Sequence, residues 1–520
     1  MKKLLFLVAL TASLPLFGQH TTAAEEEALL RHWTKYFASD EFGGRKPMTE
    51  YESLTIKAMA AEMEALGLQP AFGGSWYQPF KMISANCKPR GGRFRVKGGP
   101  DLRYGDDMVV WTARATDRVQ VRGAGIVFAG FGITAPEFGW NDFEGVDVSG
   151  KIILALVNDP GYYDEKMFRG RNMTYYGRWL YKFEEARRRG AAGCLVIHNT
   201  GAASYGWHVC VNGHTEGNLA LFDEATANSG ELAVKGWLHE DACKRLLEAV
   251  GLSYEEAFSR AMTPGFRAFD LGIRMDVDMD VVYSVSETSN VGGILPGTDL
   301  ADEAVVFNGH WDHLGIGTPD DRGDAIYNGA ADNASGMAAL LLAAKIAGEL
   351  PAPRRSLLFL SVSSEESGLF GSEYYTEHPV FPLEKTAACI NFESVGPAPL
   401  THDVSVLGGG ATELDSYAIA AAAAQGRYIY FDDDNSDGWF FRSDHYNFFK
   451  RGVPALVFEN GTQLVDPSRP NKYPYSEVYH KPTDEYHPDW DLTGTLANVN
   501  LLISLALSVA NTPTPPAWLK

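Results

Sequence analysis

Residues 358–371 read LFLSVSSEESGLFG. The apolar run at 357–362 gives way to small polar residues, then to adjacent carboxylates, Glu365 and Glu366, and then to Gly368 and Gly371. A short apolar run closed by turn residues predicts a buried strand that runs into a loop. In an open α/β sheet, ligands bind at the carboxyl ends of the strands. Neighbouring carboxylates at such a place repel each other unless a cation or a proton intervenes. One can then bind a metal while the other handles a proton. For this stretch alone, a solvated acidic loop is the competing reading.

Working outward, the same pattern recurs. Strands are predicted at 275–284, 290–295, 305–308, 387–392 and 454–459, and helices at 335–350, 411–425 and 492–510. Strands alternating with helices from about residue 275 onward predict an α/β fold, a mixed sheet flanked by helices. Chemistry-bearing residues stand at the strand ends. His310 and Asp312 follow 305–308, Asp332 lies at the start of a helix in ADNASG, Glu393 follows 387–392, and His480 lies in EVYHKPTDEY. If these loops share one edge, imidazoles and carboxylates converge without thiolates. That is an N/O donor set of the catalytic zinc kind.

Toward the N-terminus, helices are predicted at 25–37 and 50–66, with the polar loop SDEFGGRKPMT between them. Short strands and turns follow from 76 to about 118. Residues 147–156, 179–189 and 194–198 read as strand, helix and strand, which marks a compact unit from about 119 to 269.

At 520 residues, with 45% apolar and 21% charged residues, the chain is globular and long enough for more than one domain. A net charge of −21 argues against nucleic acid and anionic membranes as partners. Lys2 and Lys3 precede the apolar run 4–16, which is too short to span a bilayer, so residues 1–18 read as a signal peptide. Export to a periplasm or the medium is expected. No later stretch reads as a membrane span. Export permits disulfides, but the five cysteines are odd in number and match no framework or zinc spacing. Cys194 and Cys389 lie in apolar runs and are expected to be buried thiols.

The motifs together resemble the M28 co-catalytic zinc peptidases. The stretches that carry the resemblance are GHWDHLG at 309–315, NGAADNASG at 328–336, SSEESGLFGS at 363–372, NFESVG at 391–396, RSDHYNFFKRGVPAL at 442–456, VYHKPTDEY at 478–486 and the entry segment SDEFGGRKPMTEYE at 39–52. The resemblance implies a zinc-peptidase (phosphorylase/hydrolase-like) fold in two pieces, 25–118 and 275–520. It also implies two zinc ions or another divalent pair. Asp332 would bridge them, His310 and Glu393 would complete one site, and Glu366 and His480 the other. Glu365 would be the general base that activates the shared water, Tyr479 the hydroxyl that steadies the oxyanion, and Asp312 the residue that holds a ligand in orientation. Many members carry Asp where this chain has Glu393. Residues 318–327, TPDDRGDAIY, form an extra loop whose Asp320, Asp321 and Asp324 read as solvated acids or, less plainly, a calcium site. The inserted unit, 119–270, resembles a protease-associated (PA) domain, on DVSGKIILAL at 147–156 and KFEEARRRGAAGCLVIHN at 182–199, and the resemblance implies a mainly-β insert.

The function implied is an exported exopeptidase acting on peptides, an aminopeptidase in first place. A carboxypeptidase of the glutamate carboxypeptidase type needs a cationic clamp for the terminal carboxylate, and Arg442, Arg451 and Arg469 are available for it. A single-zinc glutaminyl cyclase-like acyltransferase can dispense with part of the ligand set, and a receptor-type binding protein with a dead peptidase-like domain loses ligands and base. Neither loss is seen here.

Overall fold

The apolar run at 357–362 lies inside Arg355–Val362, a strand with every residue buried. In the computed structural model, which describes residues 21–519 apart from 216, 394, 408, 433, 434 and 436, this strand sits inside a mixed sheet. The expected signal peptide, 1–18, lies outside the described residues. Arg355–Val362 pairs in parallel with Leu300–His310 and antiparallel with the end of Phe269–Leu295. Leu300–His310 pairs onward in parallel with Thr386–Asn391, and that strand in parallel with Ala455–Asn460. Asp403–Leu407 then joins antiparallel, and Tyr428–Asp432 parallel to it.

Parallel neighbours need a crossover. The crossover from Leu300–His310 to Arg355–Val362 carries helix Ser335–Glu349. Its consecutive residues Leu340, Leu341 and Leu342 are all buried, so the helix has protein on every side. Each such leucine contributes roughly 1.5–3 kcal/mol by leaving water. Helices Ala23–Phe37 and Thr493–Asn511 add to the same apolar cluster. The first begins at Thr22, whose hydroxyl and backbone exchange hydrogen bonds with Glu25 in a capping box.

A second apolar cluster collects buried residues from Ala85 to Val281. Its centre is a parallel set, Ile152–Leu156, Gly193–His198 and Val234–His239, covered by helices Trp179–Arg188 and Glu240–Glu248. All five cysteines are buried and unpaired, Cys194 and Cys389 among them.

Three sequence expectations need correction. The strands predicted at 275–284 and 290–295 are one strand of 27 residues, Phe269–Leu295. No Gly or Pro interrupts residues 273–291, and the polar stretch in between stays in register with Tyr77–Pro89. That partner is itself 13 residues long, in a region expected to hold only short strands. Helix Thr493–Asn511 is, by length and composition, apolar enough to cross a membrane. Here Leu501, Leu502, Leu505 and Val509 are buried in the first cluster.

Candidate metal centre and active site

The parallel register decides where the chemistry gathers. His310 lies beside Val362, and Asn308 beside Asn391, so three strands end at one edge. His310 closes its strand. Glu365 and Glu366 follow Val362, and Glu393 follows Asn391. Asp332 arrives from the loop that opens helix Ser335–Glu349. His480 comes from the segment after the short helix Tyr475–Val478.

The predicted residues meet. His310 Nε2 lies 3.3 Å from Asp332 Oδ1 and 3.3 Å from Glu393 Oε1. His480 Nε2 lies 3.5 Å from Asp332 Oδ2 and 2.9 Å from Glu366 Oε2. His310 Nδ1 donates to the Asp312 carbonyl at 3.0 Å, which assigns its proton and turns Nε2 toward the carboxylates. Asp312 accepts the backbone N–H groups of Glu365 at 3.1 Å and Glu366 at 3.4 Å, and so orients both acids from behind. Ser443 Oγ donates to the far oxygen of Glu393 at 2.7 Å. Tyr479 stacks on His480 with ring centroids 3.8 Å apart, and its hydroxyl makes no hydrogen bond among the described residues.

Three contributors were not assigned from the sequence. His313 is buried, and its Nδ1 stands 2.6 Å from Glu366 Oε1. It lies inside GHWDHLG, so a second imidazole three residues after His310 was the available signal. Tyr475 donates its hydroxyl to Asp332 Oδ2 at 2.8 Å. Asp484, within PTDEY, accepts the N–H groups of Ala331 and Asp332 at 2.9 and 3.0 Å and anchors the Asp332 loop. Tyr475 had no signal beyond lying one helical turn before Tyr479.

The charges are crowded. Burial, then the charge of Glu393, pushes the Glu365 carboxyl well above its ordinary range. Burial also lifts Asp312 to about 7 and Asp484 to about 6. Burial pulls His480 down, but its hydrogen bonds to Asp332 and Glu366 outweigh that and raise it to about 10.

The donor atoms form two groups, His310–Asp332–Glu393 and His313–Asp332–Glu366, each with its atoms within 4.8 Å of one another and both sharing Asp332. Asp332 Oδ1 and His313 Nε2 are buried without a hydrogen-bond partner among the described residues. Orphaned polar atoms among converging carboxylates and imidazoles fit a divalent cation. By contrast, the acidic loop 318–327 holds its own cation. Arg322 pairs with Asp320 at 2.7 Å, Asp324 at 3.7 Å and Glu485 at 2.9 Å.

The centre lies on the wall of a cavity of about 1320 Å³. Glu365, Glu366, Glu393, Tyr479 and His480 line one side, and Trp179, Leu180 and Phe183 of the second cluster's helix line another.

The family model described as Peptidase family M28 matches residues 290–504. Over 154 residues the chain is 32% identical to "Aminopeptidase NAALADL1" of Mus musculus, which covers 28% of this chain and 18% of that protein. Over 116 residues it is 31% identical to a "Probable zinc metalloprotease" of Pyrenophora tritici-repentis (strain Pt-1C-BFP), covering 22% of this chain and 26% of that protein. The matches thus span about a fifth to a quarter of these relatives. Among solved structures the chain is similar to an aminopeptidase from Aneurinibacillus sp. strain AM-1, at TM-score 0.47 and 17% identity over 95% of both chains. It is also similar to BSAP, a zinc aminopeptidase from Bacillus subtilis, at TM-score 0.43 and 16% identity over 94% of both. Residues 290–504, where the motifs and the converging donor groups lie, match the model of peptidase family M28.

Proposed function

We propose that the protein is an exported, metal-dependent exopeptidase that releases N-terminal residues from peptides. The observation that carries this reading is Glu365 standing beside two donor groups that share Asp332, on the wall of one large cavity. His310, Asp332 and Glu393 would hold one zinc-type ion, and Asp332, Glu366 and His480, with His313, a second. Such a pair supplies Lewis-acid polarisation of the peptide carbonyl and a nucleophilic water at neutral pH. Glu365 takes the proton of the attacking water and returns it to the leaving amine. Tyr479, whose hydroxyl makes no hydrogen bond among the described residues, donates from beside His480 to the developing oxyanion. Asp312 keeps Glu365 and Glu366 in place through their backbone N–H groups. Glu365 or Glu393 receives the substrate's free amino group. The unit at 119–270, read as a PA insert, walls the cavity and limits access. Lys2, Lys3 and the apolar run after them support export.

A second reading, carboxypeptidase, has one observation in its favour. Arg178 and Arg442 line the same cavity and make no ion pair among the described residues. Digestion of a peptide mixture, read by mass spectrometry with and without chelator, tests both. Loss of residues from the amino end, abolished by chelator and restored by zinc, is expected. Trimming from the carboxyl end would move the assignment to the second reading. No hydrolysis with zinc restored would remove both.

A further inference from the structure

The entry segment 39–52 lies outside the family-matched residues, and no part of the proposed chemistry uses it. Yet it delivers Arg45 to the underside of the centre. Arg45 is fully buried. Its Nε donates to the Trp311 carbonyl at 2.9 Å and Nη1 to Phe37 at 2.8 Å. Nη1 also donates to the Asn328 carbonyl, and Nη2 to Gly329 at 2.9 Å and Asp332 at 3.5 Å. A guanidinium has five N–H donors in a planar fork, and all of them are used. The acceptors belong to three segments: the end of helix Ala23–Phe37, the residue after His310, and the turn into Asp332.

The approach is built for contact. Arg45 itself has φ 50, and Gly44 has φ 70. A Cβ on Gly44 would lie 2.6 Å from the carbonyl oxygens of Gly315 and Tyr327, so only glycine lets the segment come this close. The Arg45 carbonyl accepts the N–H of His313 at 3.3 Å. Asn328 Nδ2 reaches back to Ala38 O and Asp40 Oδ1, each at 2.9 Å. Both ends of the loop between His310 and Asp332 are therefore tied to the entry segment.

Arg45 makes no ion pair among the described residues, although burying an unpaired cation is costly. A guanidinium stays protonated in proteins, and the carboxylates of Asp484, Asp332, Asp312 and Glu366 act favourably on its charge. Asp332 and Glu366 belong to the donor groups, and Asp312 and Asp484 hold the backbone N–H groups behind them.

We propose that Arg45 is a positioning residue of the metal centre. It holds the backbone just after His310 and the turn that leads into Asp332 so that their side chains meet, and it places a fixed positive charge beneath the carboxylates. This rests on the metal reading above.

The test compares Arg45→Met and Arg45→Lys with Arg355→Met and Arg355→Lys. Arg355 is also fully buried, but it clamps Glu303 and the carbonyls of Val509 and Thr512 at the opposite end of its strand. Zinc affinity is read by competition with a chromophoric chelator, and stability by the unfolding midpoint in EDTA. Arg45→Met is expected to weaken zinc binding about tenfold or more, as loss of outer support for ligands does. Arg45→Lys, with three donors and no fork, should recover only part of it. The Arg355 variants should lower the midpoint and leave zinc affinity unchanged. Should Arg45→Met fail to fold, the two lysine variants carry the same comparison. Wild-type zinc affinity in both Arg45 variants, or equal weakening in the Arg355 variants, would overturn the proposal. Failure of the unaltered protein to bind zinc would overturn the metal reading itself, and this inference with it.

Discussion

His313 Nδ1 stands 2.6 Å from Glu366 Oε1, while His480 Nε2 stands 2.9 Å from Glu366 Oε2. One carboxylate is thus gripped by imidazoles on both oxygens. Gly329 makes room for this arrangement, since a Cβ there would lie 2.5 Å from the His313 ring. Replacing His313 by Ala should therefore loosen Glu366 and weaken the ion it would hold, by about 10–100-fold in affinity. Metal content after dialysis against graded chelator measures this. An unchanged metal content would confine His313 to packing.

Burial and the neighbouring charge of Glu393 raise the Glu365 carboxyl strongly. Glu365→Gln should keep its metal and lose about 10²–10⁴-fold in turnover, because only the proton acceptor is removed. Metal analysis and kcat on the same sample separate the two effects. Near-normal turnover would take Glu365 out of the base role.

Asp332 belongs to both donor groups, and Glu393 to one. Asp332→Ala should therefore lose both ions, and Glu393→Ala only the ion shared with His310. Glu393→Asp should retain two, the shorter arm being compensated by the Ser443 hydroxyl that already steers this carboxylate. Ions per chain after dialysis decide each case. Two ions retained in Glu393→Ala would exclude it as a ligand.

A pH effect is expected far from the centre. Asp142 is fully buried and accepts the Ile133 N–H at 2.9 Å and the Trp140 indole N–H at 2.7 Å. Burial raises its carboxyl from 3.8 to about 7. Between those values the folded state keeps a proton that the unfolded chain has released. Stability from this group is therefore complete below about pH 4 and is lost as the pH rises through about 7, an effect of roughly 4 kcal/mol. Asp142→Asn should flatten that slope, at the cost of about 1 kcal/mol for one lost acceptor. Denaturant unfolding at a series of pH values measures it. A slope identical to the unaltered protein would show that Asp142 is ionised throughout.

The sequence by itself determined the local elements and singled out most of the residues that converge at the centre. The run into Glu365–Glu366, the alanine-rich helix after Asp332 and the strand before Glu393 follow from patterns a few residues long. Burial periodicity and turn chemistry act over that range. His310, Asp332, Glu366, Glu393 and His480 stood in strings whose context marked them, and the structure brings those five together. Local pattern could not show that 275–284 and 290–295 are one strand, because continuity there depends on pairing with Tyr77–Pro89, some two hundred residues earlier in the chain. Nor could it assign His313 to Glu366, Tyr475 to Asp332 or Arg45 to five backbone carbonyls. Each of these depends on where a donor stands relative to an acceptor on another segment. Packing alone sets those distances: parallel strand ends meet at one edge, and the entry segment closes over them from below.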